Sequence, residues 1–426
     1  MTENIQSKKQ DNMITCVTTG LCCGIVCGVA CVFFAWLTTL CDDLFHSHDW
    51  LIFLLPVTGF VVVYLYDDFR RSDELSMNAL YKHMREGKPL SIWIAPLVAL
   101  STCLSYLTGG SVGRVGSALQ IGGGLAVFMG RKLPFLKKLS PSPELLLACG
   151  VAAGFSGILN SPLAGALFGV EVMALRGKQV LYVIPALISS FLTWGISIAF
   201  PVKYIDFHTS LSEEIFRGGG VPEDAQIIGK VLLVAVAAML VARLYCGFRK
   251  ITVKGFNLVG NKYLRVICGT VMVIALTQIL GHTNANGIGF TYVDSALDGH
   301  SAMLAFLWKL MLTAFTLGCG IRGGEIAPVI FIGATSCFAV GTFIDLDPTV
   351  AAAVGIVGAL SSVTNCPIAI FVYGLESICC SLEMAMYFLI AICVSYFLSG
   401  DGGLYSEQKI TKRFFHISRW RDTVKL

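Results

Sequence analysis

Charge is what this chain has least of. Only 14% of its 426 residues are Asp, Glu, Lys or Arg, against about 25% in a typical globular domain. That leaves too few polar groups to coat a water-soluble protein of this size, so a soluble class is excluded. Histidine is sparse too. None of the seven (46, 48, 83, 208, 282, 300 and 416) has metal-ligand spacing inside an apolar segment. A membrane-embedded enzyme needs a nucleophile, a base or a metal cluster among its apolar helices, and no such grouping stands here. The chain therefore reads as a non-enzyme with no resident metal or cofactor. At most, His46 and His48 beside Asp42 and Asp43 form a surface metal candidate. Nucleotide motifs, low-complexity runs and an appended soluble domain are also missing. The formal charge of +4 comes partly from six basic residues between 406 and 426, and without a soluble domain they do not argue for nucleic acid.

Apolar sequence fills the space that charge leaves. Hydrophobic residues make up 55% of the chain, with uncharged runs from Met13 to Cys41, Trp50 to Tyr66, Val180 to Phe200, Val231 to Ala242 and Met384 to Ser399. A spanning helix needs about 20 such residues, so an all-α, polytopic membrane protein is expected. The first run, 29 residues from Met13, is longer than the core of a signal peptide, which argues for a retained helix. Many other apolar segments have only 12 to 17 residues. Non-spanning helices are tolerated where their ends are buried in protein or line a cavity, so the short segments themselves point to an interior pathway. Sixteen cysteines lie mostly in apolar runs and read as small hydrophobes.

The chain nearly repeats itself 205 positions apart. Gly150, Asn160, Pro162, Ala164, Gly169 and Glu171 correspond to Gly355, Asn365, Pro367, Ala369, Gly374 and Glu376. Two related halves are expected, 13–205 and 225–405, with a tail at 1–12, a linker at 206–224 and a basic tail at 406–426. The matched Glu171 and Glu376 suggest a shared structural role, such as pairing or capping. Internal repeats in membrane proteins tend to place a solute path at their interface.

Two Gly-rich turns each open an apolar helix: Gly109 to Ser117, and Gly318 to Pro328. Aligning Ile121-Gly122 with Ile332-Gly333 makes them a second, weaker repeat pair offset by 211. First-turn N–H groups lack intrahelical partners and carry partial positive charge, so two converging helix starts make an anion site. Helix packing is the competing reading of the same glycines.

Gly113-Arg-Val-Gly116 before Ala118-Leu-Gln-Ile-Gly-Gly resembles the signature of the CLC chloride channels and proton-coupled antiporters. Ala152-Ala-Gly-Phe with Asn160-Ser-Pro-Leu-Ala-Gly, Gly323-Gly-Glu-Ile-Ala-Pro328 and Gly403-Leu-Tyr405 follow in the family's order, across about residues 15 to 410. The resemblance implies inverted-topology halves, a homodimer with one anion pathway per subunit, and a multi-pass location in the plasma (inner) membrane. It puts Met77, Asn78, Gly113, Arg114, Val115, Gly116, Glu325, Ile326 and Tyr405 on the pathway, with chloride or fluoride as substrate. Met77-Asn78 and Glu325 look like the fluoride-transporting branch, although Ala327 stands where that branch usually has threonine. Val115 occupies the position of a proton-carrying glutamate, and Val172 that of an internal proton-transfer glutamate. Valine cannot titrate, so passive, channel-like conduction is expected, with fluoride–proton antiport through Glu325 as the alternative. Glu325 is expected either to act on ions or to pair with Arg322 or Arg114, or to cap its own helix. Arg114 reads equally as an anion attractor or as a structural cation. Lys230 and Lys309 read as snorkelling or paired residues.

Overall fold

The computed structural model describes residues 11–68, 77–86, 90–91, 93–173, 177–202, 204, 221–378, 381–400, 403–405 and 408. The first ten residues, most of the expected linker and the basic residues of the C-terminal tail lie outside this set. In the first half, α1 is Met13–Ser47, α2 Leu55–Asp68, α3 Met77–Glu86, α4 Ile94–Leu107, α5 Val115–Lys132, α6 Pro134–Leu139, α7 Pro143–Leu159, α8 Pro162–Val172 and α9 Val183–Ser197. In the second, α10 is Val221–Asn257, α11 Lys262–Leu280, α12 Phe290–Leu297, α13 Ala305–Gly318, α14 Ile326–Phe343, α15 Pro348–Thr364, α16 Pro367–Tyr373 and α17 Leu382–Leu398. Among the described residues there is no strand, only an isolated bridge between Gly113 and Gly324.

Among the described residues, six helical stretches are long and apolar enough to cross a membrane. Others are too short. The 11 residues of α8 reach about 16 Å at 1.5 Å per residue, half of a hydrocarbon core of about 30 Å. Their ends therefore need partners inside the protein, and the repeated residues supply them. Asn160 and Asn365 close α7 and α15 in the left-handed conformation, at φ 55° and 58°, which asparagine adopts more readily than most residues. Two residues on, Pro162 and Pro367 open α8 and α16 at a position where a missing N–H costs nothing.

Glu171 and Glu376 are caps, and each caps the other half. The Glu376 carboxylate accepts from Leu163 N–H (3.0 Å) and Ala164 N–H (2.9 Å), while Glu171 accepts from Ile368 N–H (3.1 Å) and Ala369 N–H (2.8 Å). These donors are also 205 positions apart, so the exchange has the self-complementary form of a two-fold axis. Ser161 and Ser377 join their hydroxyls beside it. Packing repeats as well: α5 lies on α7 as α14 lies on α15, and α1 lies on α9 as α10 lies on α17. The glycines at 122 and 150 let α5 and α7 touch backbone to backbone, since a Cβ on Gly122 would stand 2.1 Å from Gly150 O.

The lysines differ from one another. Lys230 donates to Asp345 O at 2.5 Å, a pairing of the expected kind. Lys309 does not snorkel: it is fully buried, donates to Ala285 O (3.1 Å) and Gly287 O (2.7 Å), and stands 5.2 Å from the Phe331 ring centroid. The carbonyls of the 281–289 turn, which the sequence pattern does not reveal, satisfy its charge.

Candidate functional site

The two Gly-rich turns meet. Gly113 N–H donates to Gly324 O at 2.7 Å and Gly324 N–H to Gly113 O at 2.6 Å, a two-bond clip between the starts of α5 and α14. The approach tolerates no side chain, because a Cβ on Gly324 would stand 2.7 Å from Gly116 N and 2.8 Å from Gly113 O. In α5 the first intrahelical bond runs from Ala118 N to Arg114 O, and in α14 from Val329 N to Glu325 O. The N–H groups ahead of them are not used by the helix. Neither Arg114 nor Glu325, the two N-cap residues, caps its own helix through its side chain.

Beside the clip lies a cavity of about 150 Å³, room for roughly five waters at about 30 Å³ each. That suits a small anion with part of its hydration shell. Met77, Asn78, Gly116, Glu325 and Tyr405 line it, so five of the nine expected pathway residues converge from four separate parts of the chain. One carbonyl ties together the segments that carry Met77, Asn78 and Tyr405. The Tyr81 hydroxyl (3.0 Å) and Gln408 Nε2 (3.3 Å) both donate to Val172 O at the end of α8. These bonds fix α3, which carries Met77 and Asn78, and the segment that carries Tyr405. Asn365 Nδ2 donates to Gln408 Oε1 at 3.1 Å, so a repeat residue anchors the same segment.

Gly113, Arg114, Val115 and Ile326 are not on the cavity wall. Val115 and Ile326, the first residues of α5 and α14, are 1% and 2% exposed and belong to the apolar core. Arg114 is turned toward α1: its Nη1 donates to the Thr39 hydroxyl (2.8 Å) and Ala35 O (3.3 Å), and the guanidinium stands 5.5 Å from the Phe290 ring centroid. Hydroxyl, carbonyl and aromatic face together hold the cation inside the fold.

Glu325 pairs with neither Arg322 nor Arg114. Its Oε1 lies 2.7 Å from Arg249 Nη2, on a helix of the second half that the motifs never touch, while Arg322 stands 5.3 Å from the Tyr66 ring centroid. Arg249, Ser117 and Gln120 also line the cavity. Arg249 escaped the sequence reading because Arg249-Lys250 near the end of an apolar helix looks like ordinary juxtamembrane charge. Ser117 and Gln120 are legible in the sequence: they lie three residues apart on one face of α5, Ser117 closing the Gly-rich turn and Gln120 following it. His46 and His48 bond carbonyls of their own helix, Asp42 O (2.9 Å) and Leu44 O (3.3 Å). Among the described residues no group of three or more His, Cys, Asp or Glu could hold a metal ion.

Comparison with known proteins places this architecture. A chloride/fluoride channel protein of Pseudomonas syringae pv. tomato is 27% identical over 384 residues, spanning 85% of this chain and 79% of that one. An H(+)/Cl(-) exchange transporter of Yersinia pestis is 29% identical over 272 residues, 59% of this chain and 52% of that one. Among solved structures, a CLC-type fluoride/proton antiporter superposes with a TM-score of 0.82 at 24% identity, over 93% of this chain and 98% of that one. A slow cyanobacterial Cl-/H+ antiporter gives 0.72 at 19% identity, over 90% and 94%. At these identities the two structures speak for the fold alone. The voltage gated chloride channel family matches residues 58–400, and the chain belongs to that CLC family as a multi-pass membrane protein.

Proposed function

We propose that this chain conducts a small halide anion, chloride or fluoride, across the membrane by a passive, channel-like route. One observation carries the reading. The opening turn of α5 borders the cavity through Gly116 and Ser117, while its first residue is the buried, non-titratable Val115. An anion there meets backbone N–H groups and the partial positive charge of the helix start, with no carboxylate from α5 to displace. The Asn78 amide and Tyr405 hydroxyl on the same wall are suitable replacements for the hydrogen bonds an anion loses on dehydration. The channel name of the Pseudomonas relative agrees with this reading. A homodimer with one pathway per subunit, in the plasma (inner) membrane, is part of the same proposal and follows from the family resemblance.

Fluoride–proton exchange through Glu325 is the second reading. It is favoured by the position of that carboxylate on the cavity wall, where Oε2 has no hydrogen-bond partner. Fluoride and chloride efflux from liposomes, with internal pH recorded at the same time, separates the two. Passive conduction gives anion flux that dissipates a gradient and moves no protons. Proton movement driven by the anion gradient overturns it in favour of exchange.

A further inference from the structure

We propose that Arg249 is an anion-binding residue of this pathway: the Glu325 carboxylate holds its guanidinium in the conformation seen here, and an anion entering the cavity takes that place. The proposal rests on the anion-pathway reading above and adds a residue that the family motifs do not contain. Arg249 and Glu325 come from different elements, the long α10 and the start of α14, and both face the same cavity. Their side chains are 29% and 17% exposed, so part of the pair reaches the cavity while Arg249 Nε and Glu325 Oε2 stay buried.

The pair is incomplete. Arginine and carboxylate commonly join by two parallel hydrogen bonds, but only one short contact is made here, from Nη2 to Oε1. Arg249 Nε and Glu325 Oε2 are left without hydrogen-bond partners, and so is the hydroxyl of Tyr245, one turn earlier on α10. The pair that lines the cavity therefore leaves hydrogen-bonding capacity of both its partners unused. Of the other cations nearby, Arg322 also lines the cavity, where it stands against the Tyr66 ring, while Arg114 is turned toward α1. An anion between Arg249 and the first turn of α5 would receive the guanidinium from one side and backbone N–H groups from the other. Since carboxylate and anion then compete for one guanidinium, removing the carboxylate strengthens anion binding only while Arg249 is present.

The test is a four-protein set: wild type, Glu325→Gln, Arg249→Gln and the double variant. Initial efflux from liposomes is measured against fluoride concentration and, separately, against chloride concentration. Glu325→Gln is expected to lower the half-saturating concentration about tenfold, and Arg249→Gln to raise it about tenfold, the factor one charge-assisted hydrogen bond supplies at the low end of its range. The double variant is expected to match Arg249→Gln within about twofold, a non-additivity that marks direct coupling. Should Arg249→Gln fail to fold with its carboxylate unpaired, the double variant against Glu325→Gln carries the test: loss of the tenfold gain supports the proposal, and its retention overturns it. A wild-type half-saturation in Arg249→Gln also overturns it while the pathway reading stands. Wild-type protein that passes neither anion overturns the pathway reading and this proposal with it.

Discussion

Replacing Glu376 by alanine should weaken the protein by about 2–3 kcal/mol, and replacing Glu171 should cost the same. Each carboxylate accepts two main-chain N–H bonds at a helix start of the opposite half. A hydrogen bond to a charged group is worth about 1.5–3 kcal/mol. One bond of each pair is solvent-exposed (to Leu163 and to Ile368) and the other part-buried. Counting the part-buried bond in full and only a fraction of the other gives the stated range, just above the usual N-cap losses of about 0.5–2 kcal/mol. Glutamine keeps one acceptor but loses the charge, so Glu376→Gln should lose about 1 kcal/mol. The two caps stand near opposite ends of α8, about 12 Å apart by helix rise from Leu163 to Glu171, and should add within about 0.5 kcal/mol in the double alanine variant. Denaturant unfolding of detergent-solubilised protein, followed by circular dichroism, measures all four. Single alanine variants within about 0.5 kcal/mol of wild type would refute the view that these carboxylates lock the halves together.

Three further outcomes follow from the site and its supports. Val115→Glu places a titratable carboxylate at the first position of α5, and anion efflux from liposomes should become pH-dependent, slow near neutral pH and faster as the acid protonates; an unchanged pH profile contradicts the placement of α5 at the pathway. Gly324→Ala forces a Cβ to within 2.7 Å of Gly116 N, so it should destabilise by about 1–3 kcal/mol, as overpacking does, and reduce flux of both anions; wild-type unfolding and flux would show that the clip has room to give. Lys309→Met strips two buried carbonyls of their donor, at about 1–3 kcal/mol each. It should lower stability while leaving the chloride-to-fluoride flux ratio unchanged, and a shifted ratio would place Lys309 on the ion path.

Class and architecture could be read from the chain because they depend on local chemistry. Low charge with long apolar runs dictates a bilayer solvent for α1 and α10, and the 205-residue repeat states that two halves share one plan. The Gly-rich turns were legible as helix starts since glycine at a close approach leaves a trace in sequence. Five of the nine residues expected on a pathway gather at the cavity for the same reason: each sits in or beside a local motif. Pairing across distance left no such trace. That Glu171 reaches Ile368 and Ala369 in the other half, that Arg114 turns toward Thr39, and that Glu325 takes Arg249 in place of the nearby Arg322 are decided by which side chains and main-chain groups the fold brings within hydrogen-bonding reach. Charge is too scarce here for its partner to be guessed from proximity along the chain. In a low-dielectric interior every buried ion must find a hydrogen-bonding partner, and only the tertiary structure says which one is within reach.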